Sequence, residues 1–286
     1  MKNIIKNLYH KIIIERYPKL FRPSSKPFVS GDTFRKYADH IFDESTSFNP
    51  EDVKKNDTVF INSDLIEVYF QIQHPKISSK YFLISHNSDR NVDNNLTNLS
   101  DDKIIHWFAQ NLVIKSNKIT SIIPIGLENR RWLKYGKKRW FNTRQEKTKY
   151  ILSSFNTFNN YKERNEADIF AKKSPIVDIK RFDKPSEYFN EASKYKFVLC
   201  PSGNGADTHR LWESQILKSL PILLNSNFSS NLKKLGLPAL YLDSWDELIS
   251  YSKTDLDKIY EKKINNNNNQ LIYLDYWKKI IEEKKL

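Results

Sequence analysis

The residues best suited to chemistry lie in the run Phe197-Val-Leu-Cys-Pro-Ser-Gly-Asn-Gly-Ala-Asp-Thr-His-Arg-Leu-Trp-Glu213. An apolar segment of β type ends at Pro201. A Gly-Asn-Gly loop follows, and a helix is expected from Asp207 to Lys218, with Asp207, His209, Arg210 and Glu213 near its start. The chain holds only 6 glycines, so placing Gly203 and Gly205 between a strand and a helix answers a backbone demand, either positive φ or close approach to a ligand. The free N–H groups of a helix start attract phosphate, and Arg210 adds a charge-assisted bidentate contact. Glu213 lies three residues on, on the same face, where a carboxylate can accept both hydroxyls of a ribose. Arg164, one helix after Ser153-Ser-Phe-Asn156, supplies a second diphosphate contact. Together these groups suit a nucleoside diphosphate. The plainer alternative is a capped helix, with Asp207 as N-cap and Arg210 and Glu213 as a surface pair. Neither a phosphate-loop Gly-Lys-Ser/Thr nor a Gly-x-Gly-x-x-Gly occurs, which argues against an ATPase or a dinucleotide-binding dehydrogenase.

Elements that can position these residues are legible on both sides of the run. In the first half, strands are expected at Thr58–Asn62, Lys80–Ser85, Leu112–Ile114 and Ile119–Ile125. Helices are expected within Phe28–Phe42, with Asp32 or Thr33 as N-cap, at Asp64–His74 and at Ile104–Gln110. In the second half, strands are expected at Tyr150–Phe155, Ile176–Ile179, Phe197–Cys200, Pro221–Leu224 and Ala239–Leu242. They alternate with helices at Tyr161–Lys172, Pro185–Lys194, Asp207–Lys218 and Asp246–Tyr251. Asn265–Asn269 reads as a low-complexity loop and Leu271–Lys285 as a closing amphipathic helix. Strands that are apolar at consecutive positions are buried on both faces, as in parallel sheets. The expected class is therefore α/β, with two Rossmann-like domains at 1–147 and 148–286 and a basic, aperiodic linker near 136–147. The last helix is expected to pack back on the first domain. Ligands in such folds bind at the C-terminal ends of the strands, which directs attention to Ser85–Asp89, Gly126–Asn129, Ser153–Asn156 and Pro201–Arg210, facing one another across a cleft.

Bulk composition narrows the partners. At 286 residues with 39% hydrophobic and 13% aromatic content, two packed cores are affordable and disorder is not the default. The single cysteine, Cys200, excludes an internal disulfide and a Cys-rich zinc site; it reads as a buried core residue in a reducing, cytoplasmic setting. No segment reaches the roughly 20 apolar residues of a membrane span, and the charged residues in Met1–Leu20 interrupt any signal-peptide core. Ile4, Ile5, Leu8, Ile12 and Ile13 recur at helical spacing, so this basic N-terminus is expected to pack on its own domain or to lie at the inner face of a membrane. The net charge of +13 favours anionic partners, although its lysines are spread along the whole chain.

Pro201-x-Gly-Asn-Gly-x-Asp-Thr-His-Arg-x-Trp-Glu213 followed by Pro221-Ile-Leu resembles the donor-site signature of exostosin-like glycosyltransferases, above all the small bacterial and viral members associated with capsule, lipopolysaccharide and other surface glycans. Ser30-Gly-Asp-Thr-Phe-Arg35, Ser85-His-Asn-Ser-Asp89 and Pro124-Ile-Gly-Leu-Glu-Asn129 are similar to further blocks of that group, so the likeness runs from about Pro23 to Trp245. It implies a GT-B fold and an inverting, metal-independent transfer with no cofactor beyond the nucleotide-sugar donor. It implies that Arg210 and Arg164 bind the diphosphate and Glu213 the ribose, while Ser153, Asn156, Ser202, Gly203, Asn204, Gly205, Asp207 and His209 shape the donor pocket. Ser202 stands where Arg is often expected, and Lys218-Ser219 where a small residue and Gly usually precede the Pro-Ile. Many retaining relatives carry a Glu eight residues before the position of Glu213; here that position is Gly205, which favours inversion.

Inversion requires a general base for the acceptor hydroxyl. Asp89 is the first candidate, with His86 orienting it or the acceptor; Asp32 is the second and Glu128 the third. The competing structural reading of Asp89 is a turn at a strand end. No His/Asp/Glu set has metal-ligand spacing, so leaving-group charge falls to Arg210, Arg164 and the helix dipole. The expected partners are a UDP-linked sugar and a glycan or glycolipid acceptor, with no nucleic acid. The alternative is a basic nucleic-acid- or anionic-membrane-binding protein without transferase activity. It would need exposed tryptophans beside basic grooves, but Trp107, Trp212, Trp245 and Trp277 fall on core-like patterns.

Overall fold

Short, consecutively apolar segments build two parallel sheets, each within its own unit. The computed structural model describes residues 22–130, 136–141, 145–265 and 269–285; the expected N-terminal helix and the centre of the Asn265–Asn269 loop lie outside the described residues. The chain divides into a first unit of residues 1–136 and 273–286 and a second of residues 137–272.

In the first unit, β1 (His40–Phe42), β2 (Thr58–Asn62), β3 (Tyr81–His86), β4 (Ile104–Ala109) and β5 (Thr120–Ile122) lie side by side in chain order. Every neighbouring pair is parallel. All residues of β2 and β3 are buried, as strands covered on both faces must be. Helix α1 (Gly31–Tyr37) precedes β1, and helices α2 (Ile66–Ile72) and α3 (Asn94–Thr97) follow β2 and β3.

Ile104–Ala109 is a strand rather than the helix expected over Ile104–Gln110. A six-residue apolar run carries no periodic signal that separates a buried strand from a buried helix, and pairing with β3 and β5 decides it. The strand expected at Leu112–Ile114 reduces to a single bridge between Val92 and Leu112. The N-cap of α1 is Ser30, whose side chain accepts from the Thr33 amide, so neither Asp32 nor Thr33 has that role.

In the second unit, β6 (Lys149–Ser153), β7 (Val177–Ile179), β8 (Tyr195–Leu199), β9 (Leu220–Leu224) and β10 (Leu240–Leu242) form a parallel sheet in the order β10-β9-β8-β6-β7. Helices α4 (Tyr161–Lys173), α5 (Pro185–Ala192), α6 (His209–Ile216), α7 (Asn227–Lys234) and α8 (Lys253–Asn265) accompany it. α7 and α8 are absent from the sequence expectation because their residues are mostly polar; α7 is secured by a Ser226/Ser229 capping box. Ile151, Phe197, Leu199, Leu220, Ile222 and Trp245 anchor the core.

The final helix, α9 (Leu274–Glu283), belongs to the first unit. Leu274, Trp277 and Ile281 are buried, the Leu274 amide donates to Pro27 O at 2.9 Å, and the Tyr273 ring stacks on Phe28 at 5.6 Å. Trp107, Trp212 and Trp245 are buried as well. Among the described residues, no helix is long and apolar enough to cross a membrane.

Candidate functional site

The two sheets differ in one respect that locates a site. The first runs β1 to β5 without reversal, whereas the order of the second changes direction between β6 and β8. Loops leaving adjacent strands in opposite directions open a crevice at their C-terminal ends, where ligands of open α/β sheets bind. Those two loops, 154–160 after β6 and 200–208 after β8, carry the donor residues expected from the sequence.

Arg164, in the first turn of α4, joins them. Its Nε donates to Ser202 O at 2.8 Å and its Nη1 to Asn156 O at 2.9 Å. A Cβ on Gly203 would sit 2.9 Å from Arg164 Nη2, so the guanidinium approaches the loop backbone closely at this glycine. The Gly203 amide donates to Gly205 O at 3.0 Å and closes the loop. Asn160 and Glu163, which sequence reasoning missed, complete the clamp. Glu163 Oε1 accepts from the Ser202 amide at 2.9 Å, and Asn160, left-handed at φ 56°, donates to Ser202 O at 3.4 Å and to Glu163 Oε2 at 3.2 Å. Asn followed three residues later by Glu at a helix start was the available signal.

Arg210, in the first turn of α6, lies over the Tyr188 ring at 5.8 Å, and its Nε is buried without a hydrogen-bond partner. Burial and the nearby Arg210 charge lower the pKa of Arg164 to about 10. Two guanidinium groups held in mutual repulsion are a configuration that an anion relieves. Burial also pushes the Cys200 thiol up to about 12, with the charges of Arg210, Glu213 and Arg164 acting on it. Cys200 is thus an inert core thiol, and these three side chains converge around the C-terminal end of β8. Glu213 is 9% exposed.

The remaining donor candidates are distributed around this point. Asn204 is exposed in the glycine loop and Gly205 buried. Ser153 ends β6 with a buried, unpartnered Oγ. His209 is the first residue of α6 and partly exposed. Asp207 lies outside that helix and accepts from Trp212 Nε1 at 2.8 Å. The N-cap position belongs to Thr208, whose side chain makes no capping bond and whose Oγ1 is buried and unpartnered.

In the first unit, the three shorter sequence blocks meet at the C-terminal end of β3. His86 is buried and both ring nitrogens are engaged: Nδ1 accepts from the Asn87 amide at 2.7 Å, and Nε2 pairs with Pro124 O at 3.0 Å. A carbonyl oxygen only accepts, so the Nε2–H tautomer is present. Asn129 Oδ1 accepts from the Asp32 amide at 2.8 Å, and its Nδ2 donates to Asn87 Oδ1 at 2.9 Å. A Cβ on Gly31 would fall 1.6 Å from Asn87 Oδ1, which explains a glycine at the start of α1. Asp32 is wholly enclosed, with Oδ1 on Arg22 Nε at 2.8 Å. Arg22 and Arg35 also hold Asp43, at 2.9 and 2.6 Å. Asp32 is thus part of a buried charge network, with its Oδ2 buried and without a hydrogen-bond partner. Asp89 is exposed and Glu128 partly so.

No family model and no curated protein matches this chain. Several solved structures resemble it. One from E. coli, described as trehalose-6-phosphate bound with UDP-2-fluoro glucose, has 9% identity over 82% of this chain and 74% of that one, with a TM-score of 0.47. The N-terminal domain of a Candida albicans trehalose-6-phosphate phosphatase gives 11% identity, coverage of 82% and 73%, and a TM-score of 0.45. The pneumococcal O-GlcNAc transferase GtfA in complex with UDP and GlcNAc gives 12% identity, coverage of 81% and 57%, and a TM-score of 0.37. With every score below 0.5, the fold rests on the strand order itself: two Rossmann-like units with parallel sheets.

Proposed function

We propose that this chain is a GT-B glycosyltransferase of the exostosin-like group that moves a sugar from a UDP-linked donor to a hydroxyl of a surface glycan or glycolipid, such as lipopolysaccharide, capsule or O-antigen. The observation that carries this reading is the pair Arg164 and Arg210 beside the Gly203 loop at the strand-order reversal of the second sheet. In this reading the diphosphate bridges the two guanidinium groups and accepts from the first amides of α6. Glu213 accepts the ribose hydroxyls.

Transfer is proposed to invert the anomeric centre. The acceptor oxygen forms its bond to the anomeric carbon as the bond to the diphosphate breaks, UDP leaves with the electron pair, and Asp89 takes the acceptor proton. The arginines and the α6 dipole stabilise the charge that develops on the leaving group, so the reaction is proposed to need no metal. Among the described residues, no cluster of three His, Cys, Asp or Glu side chains is arranged to hold an ion; turnover in EDTA tests this point directly. The setting is proposed as cytoplasmic, with the basic N-terminus at the membrane.

Calorimetry with UDP tests the donor site. Arg210→Ala and Glu213→Ala are each expected to weaken UDP binding by roughly 10- to 100-fold, the loss of one charged hydrogen-bonding group at about 1.4 kcal/mol per tenfold. UDP affinity that is absent, or indifferent to both changes, would sink the proposal.

A further inference from the structure

The turn that carries Asp89 is held by more side chains than its length demands. Gln110 and Asn111, directly after β4, are 1% and 0% exposed. Gln110 Oε1 accepts from the Asn87 amide at 2.9 Å, and Gln110 Nε2 donates to Ser88 O at 2.9 Å. Asn111 Nδ2 donates to the same Ser88 carbonyl at 3.1 Å. From other directions, Asn129 grips the Asn87 side chain and Gly31 closes on it. The Ser88 hydroxyl, itself bonded to Asp64, accepts from the Arg90 amide at 2.9 Å.

Asn87 and Asn111 both adopt left-handed backbone, at φ 64° and 55°. This conformation is uncommon outside glycine, although Asn tolerates it best. A surface turn that served only to connect β3 to α3 would leave Ser88 O to water. Here two buried amide side chains from the neighbouring strand end are committed to that one carbonyl. The next residue is exposed Asp89.

We infer that Gln110 and Asn111 are positioning residues that preset the Ser88–Asp89 turn, fixing the Asp89 carboxylate for proton removal from the acceptor hydroxyl. This rests on the reading of Asp89 as the base. The clamp determines where the carboxylate stands, and misplacement of about 1 Å can cost on the order of 100-fold in rate. Sequence reading passed over both residues because it placed Gln110 at the end of a helix.

The test uses the full chain and UDP-sugar turnover, with UDP affinity and hydrogen exchange at residues 87–90 measured in parallel. Gln110→Met removes both bonds at similar volume, and Gln110→Glu keeps the acceptor for the Asn87 amide while losing the donor to Ser88 O. Both variants are expected to leave UDP affinity within about twofold and to speed exchange at 87–90. Turnover should fall roughly 10- to 100-fold in Gln110→Met and less in Gln110→Glu. In an Asp89→Asn background, Gln110→Met should add little further loss, because a positioning residue acts only through the group it places. The inference is overturned if turnover is unchanged despite faster exchange, or if the two losses multiply. A wild-type chain without UDP affinity would overturn the donor-site reading itself, and that outcome is separate from either result.

Discussion

At the residue scale, side chains stand where their neighbours leave no alternative. Gly203 yields to a guanidinium and Gly31 to an amide oxygen, and neither need is visible from the residue's own type. Lys218 shows the opposite case. It adopts φ 58° directly after α6, and the Ser219 amide reaches back to Ser214 O at 2.8 Å. This is a left-handed helix termination in which glycine is the usual occupant. Lys218→Gly is expected to stabilise the second unit by about 1 kcal/mol, since the left-handed penalty of a side chain is relieved; chemical denaturation measures it, and a destabilised variant would show that the lysine side chain itself contributes. The candidate donor residues Arg164, Arg210 and Glu213 were legible because their types and spacing suit an anion. The supporting Asn160, Glu163, Gln110 and Asn111 were not, because their value lies in carbonyls and amides distant in sequence.

At the element scale, β4 illustrates where pattern reading stops. Ile104–Ala109 carries the same apolar content as a helix turn, and only pairing with two strands makes it a strand. His106 within it is buried, with Nδ1 on Lys118 O at 3.1 Å and Nε2 on Ser121 Oγ at 2.8 Å, tying β4 to the β5 region. Burial, with the nearby Lys284 charge, lowers its pKa to about 4, against about 6.5 in an unfolded chain. The unfolded state therefore binds the extra proton first as pH falls, and the first unit should lose stability between about pH 6.5 and pH 4, by up to roughly 3 kcal/mol. His106→Gln should flatten that part of the stability–pH curve; an unchanged slope would assign the acid sensitivity to other groups. The reversal between β6 and β8, which marks the candidate crevice, is likewise a property of pairing and not of any single strand.

At the scale of the whole molecule, the chain completes its first unit last. Tyr273–Leu286 returns to the unit begun by the N-terminal half, where Leu274, Trp277 and Ile281 bury their side chains. Truncation after Ile272 should remove on the order of 5 kcal/mol of apolar burial from the first unit. Thermal unfolding should then lose the first-unit transition while UDP still protects the second. Loss of UDP binding in the truncated chain would show that the second unit depends on this segment. The sequence by itself determined the α/β class, eight of the ten strands among the described residues, and the candidate anion site at Pro201–Glu213, because apolar runs, scarce glycines and charge spacing are local properties. Tertiary structure alone decided which strands adjoin, where the strand order reverses, that Asp32 pairs with Arg22, and that Gln110 and Asn111 grip the Asp89 turn. Each of these depends on groups brought together from distant parts of the chain, where burial and the need to satisfy every buried polar group select one arrangement.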